Sequence, residues 1–590
     1  MSTLHSLVQN ANTDPNRICL LGTDGSTLSI GQLLSRIVAF SSHLRKLGLS
    51  RESVVGVSVP NGWELASTLL SVSCSAICAP LSSDDPEPEF ERNAKSLGLN
   101  ALVVANRQTN PHAGFADRLG IQVIALDEIP SGSDMVLDHP PVPEQTALLF
   151  STSGSTSSPK IVPLSHANVA HAAIETGRSL HLSEIDRSLN VLSLIHIHGF
   201  VGGLLACLSA GGSVVCAPKF EGAQFFGWLT QFAPTYMTAV PTIHREIVTL
   251  AGQHPGRAKN HSLRFVRSAS APMTVDLADS VEEAIGVPML VSYGMTEASP
   301  LISSASPAPG GIKRGSVGKP AGAEVRIMPD NGHVGEAFEE GEIQVRGTGL
   351  FSGYLGDAET GRHWSDDGWF CTGDLGYFDG EGFLFVTGRV TEIINRGGSK
   401  VSPARIDEVA VRHPDVAEAA SFPEDHPTLG QDVVCAIVLD TGSQVKESDL
   451  LEFLGNQLPA SHQPSRILIV PEIPRSDTGK LKRRTLSDHF QKLAESSNSE
   501  SDSDSPEGLF GKVAAVWEEM LEESVTADSN FFASGGDSLI MIRCLAELNE
   551  ILDTSIPLDL FLESPNLGEF VKNLESELDL DVESFASQES

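Results

Sequence analysis

Several short stretches of this chain set hydroxyls, carboxylates or amines beside glycines, where the backbone can approach a bound molecule closely. Near the C-terminus, Gly535-Gly536-Asp537-Ser538-Leu539 puts a hydroxyl at a predicted helix start, with Leu539, Ile540, Ile542, Leu545 and Leu548 marking the apolar face. Two glycines permit a tight turn before the serine, so a second enzyme could reach and modify it. Taken alone, a Gly-Gly turn with a serine cap is an equally good reading. Upstream, Ser151-Thr152-Ser153-Gly154-Ser155-Thr156-Ser157-Ser158-Pro159-Lys160 follows the apolar run Ala147-Leu148-Leu149-Phe150. Backbone N–H groups, hydroxyls and one ammonium are what a polyphosphate needs. Ser292-Tyr293-Gly294-Met295-Thr296-Glu297 combines an aromatic ring, a hydroxyl and a carboxylate. Thr372-Gly373-Asp374 offers a carboxylate in a glycine turn, and Gly388-Arg389 a guanidinium shortly after it. A lone Asp of that kind is usually only a turn residue. Lys480, in Pro474-Arg475-Ser476-Asp477-Thr478-Gly479-Lys480-Leu481, would by itself be a surface lysine.

These groups need a scaffold, and the pattern predicts one. Short apolar runs such as Val54-Val55-Gly56-Val57-Ser58-Val59, Ala101-Leu102-Val103-Val104-Ala105 and Gln122-Val123-Ile124-Ala125-Leu126 alternate with helical periodicity. That alternation argues for an α/β protein with largely parallel sheets. From about residue 321 the pattern changes to strands joined by Gly/Asp turns. The reading divides the chain into a large multi-sheet domain, 1–389, a small α/β subdomain, 390–490, an acidic linker, 491–506, and an all-α four-helix domain, 507–580. The Ser/Asp/Glu run 495–506 cannot bury apolar surface and is expected to be flexible.

Composition excludes some functions. The 590 residues carry a net charge of −36, which leaves no basic excess for nucleic acid. Residues 501–590 hold 21 acidic and 3 basic side chains, half of that charge, so the last domain should dock to basic surfaces or present a solvated acidic face. The eight cysteines form no CxxC pair and sit mostly in apolar runs, as expected of free thiols in a reducing, cytoplasmic compartment. The N-terminus has neither a basic nor an apolar leader segment. Residues 188–218 lack charge but contain His196, His198 and five glycines, so a buried strand–helix pair is expected there rather than a membrane span.

In order and spacing these stretches resemble the motifs of the adenylate-forming superfamily, over residues 145–490 and less specifically back to residue 25. The 535–539 block resembles the 4'-phosphopantetheine attachment site of carrier domains. The resemblance implies an enzyme that joins ATP and a carboxylate to give an acyl-adenylate and pyrophosphate, then passes the acyl group to a thiol. It implies that Thr152, Ser153, Gly154, Ser155, Thr156 and Lys160 hold phosphates. Ser270, Ala271 and Pro272 belong to an adenine loop, and Tyr293 stacks on adenine. Thr296 touches the α-phosphate, Glu297 helps hold Mg²⁺, and Asp374 and Arg389 bind ribose or phosphate. Lys480 completes the adenylation site, where a positioned ammonium stabilises charge building on the phosphoryl oxygens. Thr391 stands at the hinge about which the small subdomain swings, where the family typically has Asp or Lys. Arg396-Gly397-Gly398-Ser399-Lys400 would line the thiol tunnel in the second state. The family usually has Gly where Ser157 and Ile161 stand. A phosphopantetheinyl transferase would modify Ser538, and downstream enzymes would act on the carrier in trans.

The acid itself is constrained by His196-Ile197-His198-Gly199-Phe200. Amino-acid-activating relatives carry an Asp where gap-free matching places His198, and a histidine is a poor partner for an ammonium. With Val240-Pro241-Thr242-Ile243-His244 and Leu263–Ala271, the segment is similar to the oxalate–CoA ligase-like branch. His196, His198, Ser268 and Ser270 are thus expected around a small non-amino carboxylic acid, with dicarboxylic and oxo acids both open. Three readings compete: an enzyme loading its own carrier, an acyl-CoA ligase using free coenzyme A, and a weakly catalytic module that presents a pantetheine arm.

Overall fold

The computed structural model of the chain describes residues 2–11, 13–132, 134–152, 160–356, 363–440, 442–475, 481, 483–490, 509–521, 525–527, 529–531, 534, 538–552, 556–557, 560–561, 564 and 566–574. The chain forms two compact units, residues 1–484 and 485–590.

In the first unit, the central strands of a nine-stranded sheet run in spatial order Met289–Tyr293, Phe265–Ser268, Tyr236–Ala239, Arg187–Asn190, Ser213–Cys216 and Ile18–Gly22. All of these pair in parallel. Ser213–Cys216, Tyr236–Ala239 and Phe265–Ser268 are short runs buried on both faces, as parallel strands covered by crossover helices must be. Strand Arg187–Asn190 lies between the next two strands of the chain, Ser213–Cys216 and Tyr236–Ala239, so the strand order reverses there. Open α/β sheets bind ligands beyond the carboxyl ends of their strands at such a point. A six-stranded sheet carries Thr146–Thr152, parallel to Ile77–Pro80, and its antiparallel partner Lys160–Ser165.

Helices seat these sheets by ordinary local rules. Helix Ile30–Lys46 starts at Ser29, whose hydroxyl accepts from Gln32 N while Gln32 answers with a bond from Ser29 N. Ser165 and Asn168 repeat the device at helix His166–Ser179. The glycine-turn strands form a four-stranded antiparallel sheet of Glu324–Met328, Gly341–Arg346, Phe370–Phe378 and Leu384–Arg389. Five further strands around Val416–His426 and Gly430–Leu439, with helices Pro403–Ala410 and Glu447–Gln457, make the small α/β part, whose core includes Ile394, Ile406, Val433, Leu450 and Ile467.

The second unit is helical among its described residues, with Leu509–Leu521, Ser538–Leu552 and residues 567–574. Trp517 anchors its core, stacked on Phe561 at 5.3 Å and edge-on to Phe531 at 4.9 Å. Leu548 and Phe570 are fully buried beside them. This aromatic centre lets a small domain bury enough apolar area to hold its helices. The linker 495–506 lies outside the described residues.

Candidate active site

Residues from the separate stretches meet at the carboxyl ends of the parallel strands. Strand Met289–Tyr293 ends at Tyr293, and Gly294 follows because nothing larger fits: a Cβ there would lie 1.4 Å from the carbonyl oxygen of Pro300. The chain then makes a tight turn, Thr296–Ala298, which buries Glu297. The Tyr293 hydroxyl donates to Asp374 Oδ2 at 2.5 Å, and Arg389 Nε lies 3.1 Å from Oδ1. Asp374 and Arg389 are direct cross-strand partners, so the register of the antiparallel sheet makes this pair. Gly373, at φ 74°, takes the left-handed turn just before Asp374, and the Thr372 hydroxyl accepts from Asp374 N. Burial pushes the Asp374 carboxyl above its ordinary range, against the opposing pull of Arg389 and the Tyr293 hydroxyl. A buried carboxylate flanked by a phenol and a guanidinium is suited to accept from paired hydroxyls.

Glu297 is joined to strand Lys160–Ser165 by residues not expected from sequence. Tyr354 donates its hydroxyl to Glu297 Oε1 at 2.7 Å. The Lys160 ammonium sits 4.4 Å from the centre of the Tyr354 ring and 3.0 Å from His363 Nε2. Lys160 and Glu297 thus face one region from two sheets. Thr152 ends the strand paired with Lys160, while Ser153, Gly154, Ser155 and Thr156 lie outside the described residues. Ile161 turns into the apolar cluster of Leu81, Leu102 and Leu149. A buried packing role accounts for the side chain there.

The histidines separate. His196 is exposed, whereas His198 is buried at the start of the π-helical segment His198–Leu205. His198 Nδ1 lies 2.9 Å from Ser270 Oγ. Its Nε2 lies 2.8 Å from Thr238 Oγ1 and 3.0 Å from Arg267 Nη1. Both ring nitrogens are therefore engaged by the protein, and the group that faces outward is Ser270, not His198. Ser270 is exposed and holds a left-handed backbone, φ 75°, uncommon for a residue with a side chain. Ser268 is fully buried. Ala271 and Pro272 continue the loop toward helix Val275–Ile285.

The connection to the small α/β part has two anchors. Arg389 holds Asp374 on one side, and Glu392 pairs with Arg483 at 3.0 Å on the other. Arg483 also binds Asp407 at 2.7 Å. Thr391 stands between them, in the turn Val390–Glu392. Arg396 pairs with Asp432 at 2.7 Å at the mouth of a hairpin whose turn is Gly397 and Gly398, both at positive φ. Lys480 lies outside the described residues. Ser538 is the first residue of its helix, and its side chain is likewise outside them.

A buried carboxylate, a phenol and two cations gathered beyond the strand ends of the first unit are groups that an AMP-forming ligase uses. Residues 7–355 match the AMP-binding enzyme family, 405–480 its C-terminal domain, and 511–574 the phosphopantetheine attachment site, so the chain belongs to the AMP-binding enzymes. It is 35% identical over 508 residues to the oxalate–CoA ligase of Arabidopsis thaliana, spanning 83% of this chain and 98% of that protein. It is 30% identical over 500 residues to the sulfoacetate–CoA ligase of Cupriavidus necator, with 80% and 95% covered. Its fold matches ATP-bound MatB from Rhodopseudomonas palustris at a TM-score of 0.76 and 24% identity, covering 83% of this chain and 99% of that one. The o-succinylbenzoate CoA synthetase MenE from Bacillus subtilis, in complex with its acyl-adenylate, matches at a TM-score of 0.73 and 26% identity, with 82% and 98% covered.

ATP with Mg²⁺ and covalent phosphopantetheine are the groups this family and this domain use. The donor set fits them. Mg²⁺ needs only one or two protein carboxylates beside phosphate and water, and Glu297 offers one. Lys160 and Arg389 supply cations, and a serine hydroxyl is the group a phosphopantetheine ester requires. No described helix is long and apolar enough to cross a membrane.

Proposed function

We propose that this enzyme activates a small carboxylic acid that is not an α-amino acid as its acyl-adenylate and loads it as a thioester onto its own carrier domain. The observation that carries the reading is the joint presence of the Glu297–Tyr354–Lys160 and Tyr293–Asp374–Arg389 groups and a phosphopantetheine attachment domain in one chain. In this reading Lys160 and the 152–156 loop hold the triphosphate, Glu297 holds Mg²⁺, Thr296 meets the α-phosphate, and Tyr293, Asp374 and the loop at Ser270–Pro272 hold the nucleoside. The phosphopantetheine arm on Ser538 supplies the accepting thiol. Thr391 is the pivot, because the residues on either side of it are tied to different parts of the fold, Arg389 to Asp374 and Glu392 to Arg483. Lys480 serves adenylation, and the Arg396–Lys400 hairpin serves thioester formation. A phosphopantetheinyl transferase and later enzymes acting in trans are its partners. Seven of the eight free cysteines are buried and one is half-buried, which suits a cytoplasmic setting.

Intact-protein mass spectrometry tests the reading. Protein treated with a phosphopantetheinyl transferase, then given ATP, Mg²⁺ and a panel of small acids, should gain the arm's mass and then an acyl mass. The relatives are CoA ligases, which favours one other reading: acyl transfer to free coenzyme A. Acyl-CoA formed while the carrier stays unloaded would establish that reading instead.

Asp374→Ala should raise the KM for ATP about ten- to a hundredfold, the scale of lost charged hydrogen bonds, in exchange assays at varied ATP. An unchanged KM would remove Asp374 from the nucleotide site. No amino acid among the common twenty should match small non-amino acids in ATP–pyrophosphate exchange. The reason is electrostatic: the cation Arg267 lies behind this wall, 3.0 Å from His198 and 3.3 Å from Thr238, and repels an ammonium. Robust exchange with one amino acid would refute it.

A further inference from the structure

Arg267 is a buried cation among whose described neighbours there is no acidic partner. It lies in strand Phe265–Ser268, 3% exposed, and among the described residues it forms no ion pair and its Nε has no hydrogen-bond partner. Leaving a guanidinium like this costs stability, and sites tolerate that cost where the charge has work to do. Burial pulls it down to about 10, still well above neutrality. His244 fixes its backbone from behind, donating from Nε2 to the Arg267 carbonyl at 3.1 Å. Gly202 leaves room in front: a Cβ there would lie 3.1 Å from Arg267 Nη1 and 3.0 Å from the His198 ring.

An arginine Nη can only donate, so His198 Nε2, 3.0 Å away, must accept and carries no proton. The imidazole proton then sits on Nδ1 and is donated to Ser270 Oγ at 2.9 Å. Thr238 shares the inner end, 2.8 Å from Nε2 and 3.3 Å from Nη1. Ser270 Oγ accepts from inside, so its own O–H is left to donate outward. It stands at the carboxyl end of strand Phe265–Ser268, beside the strand that ends in Tyr293. Each bond polarises the next toward donation.

We infer that Arg267, His198 and Ser270 form a one-way relay of hydrogen-bond donors that selects an acid bearing a second acceptor oxygen, with Arg267 the positioning residue and Ser270 the contact. A second carboxylate or a keto oxygen supplies that acceptor. A methyl group does not, and would leave the Ser270 donor unanswered. Sites built to hydrogen-bond a polar group reject the analogue lacking it far better than apolar pockets reject a missing methylene. This inference rests on the carboxylate-activating reading above.

The test measures kcat/KM in ATP–pyrophosphate exchange for malonate and propionate, and for pyruvate and propionate. Wild type should prefer malonate, pyruvate or both strongly over propionate, and whichever pair shows the greater ratio identifies the acceptor; no preference over propionate in either pair would overturn the relay. Arg267→Met should lower that ratio tenfold or more, through KM for the acid, and Arg267→Lys should restore part of it. Ser270→Gly removes the contact on an exposed residue and suits its left-handed backbone, so it keeps the test sound should Arg267→Met fold poorly. It should lower the ratio as much as Arg267→Met does, and the two changes combined should do no more than either. Equal losses for both acids of a pair, or additive effects in the double variant, would overturn the relay. Exchange with none of these or other acids in wild type would instead remove the carboxylate-activating reading itself.

Discussion

The Ser538→Ala variant is expected to make acyl-adenylate at the wild-type rate and to carry no acyl group at all. The two half-reactions use different units of the chain. Adenylation draws on residues of the first unit, whereas Ser538 opens a helix in the second. Removing one hydroxyl there leaves the core around Trp517, Phe531 and Phe561 in place, so the unit should still fold. In the proposed reading phosphopantetheinylation needs that oxygen, and without the arm there is no tethered thiol. Tethering raises the effective concentration of such a thiol to the order of mM, so wild-type loading should outpace transfer to modest free coenzyme A. Intact-protein mass spectra, taken beside exchange assays, read both halves at once. Acyl loading that survives in the variant, or wild type that takes no arm from a phosphopantetheinyl transferase, would end the carrier reading.

Lys480→Ala should slow adenylation about 10²–10³-fold, the scale seen when one positioned donor is taken from developing charge. Attack on the α-phosphate concentrates negative charge on the phosphoryl oxygens, and an ammonium held there stabilises the transition state more than the ground state. Lys480 serves only the first conformation in this reading, so acyl transfer from preformed adenylate should continue near its normal rate. Single-turnover measurement of each half separates the effects. Near-normal exchange in the variant would take Lys480 out of the active site.

Much of this site could be read before any contact was known. Tyr293, Thr296 and Glu297 are six residues or fewer apart, and a strand followed by a glycine turn forces them to one end of a sheet. Thr372-Gly373-Asp374 and Gly388-Arg389 are similarly local, and their pairing follows once two adjacent strands form a hairpin-like ladder. The π-helical segment after His196 was legible only as an uncharged apolar run. Which histidine turned inward was not, because both lie where a loop becomes a helix and residues two apart on a helix point to nearly opposite sides.

Arg267, Thr238, Tyr354 and His363 were missed for another reason. Arg267 looked like one more residue in a strand run, and strand runs in a parallel sheet predict apolar burial. A usable signal was present: a charged residue inside a run otherwise buried on both faces is costly and needs a purpose. Tyr354 is one of only four tyrosines in the chain, which could have singled it out.

Sequence alone determined the class of chemistry, the two-unit plan of enzyme and attachment domain, and the residues of each local motif. Those follow from spacing along the chain, since turns, strand ends and helix starts are set by residues a few positions apart. Tertiary structure decided which of these side chains meet. Thr238 faces Arg267 because their parallel strands pair in that register, and a slip of one residue would send Arg267 to the opposite face. Lys160 reaches Glu297 through Tyr354, although the two residues lie at the ends of different sheets and far apart in sequence. His198 became a link to Ser270 rather than a direct contact for the same reason: hydrogen-bond direction is fixed by which donor packs behind it, and Arg267, 69 residues further along the chain, can only donate.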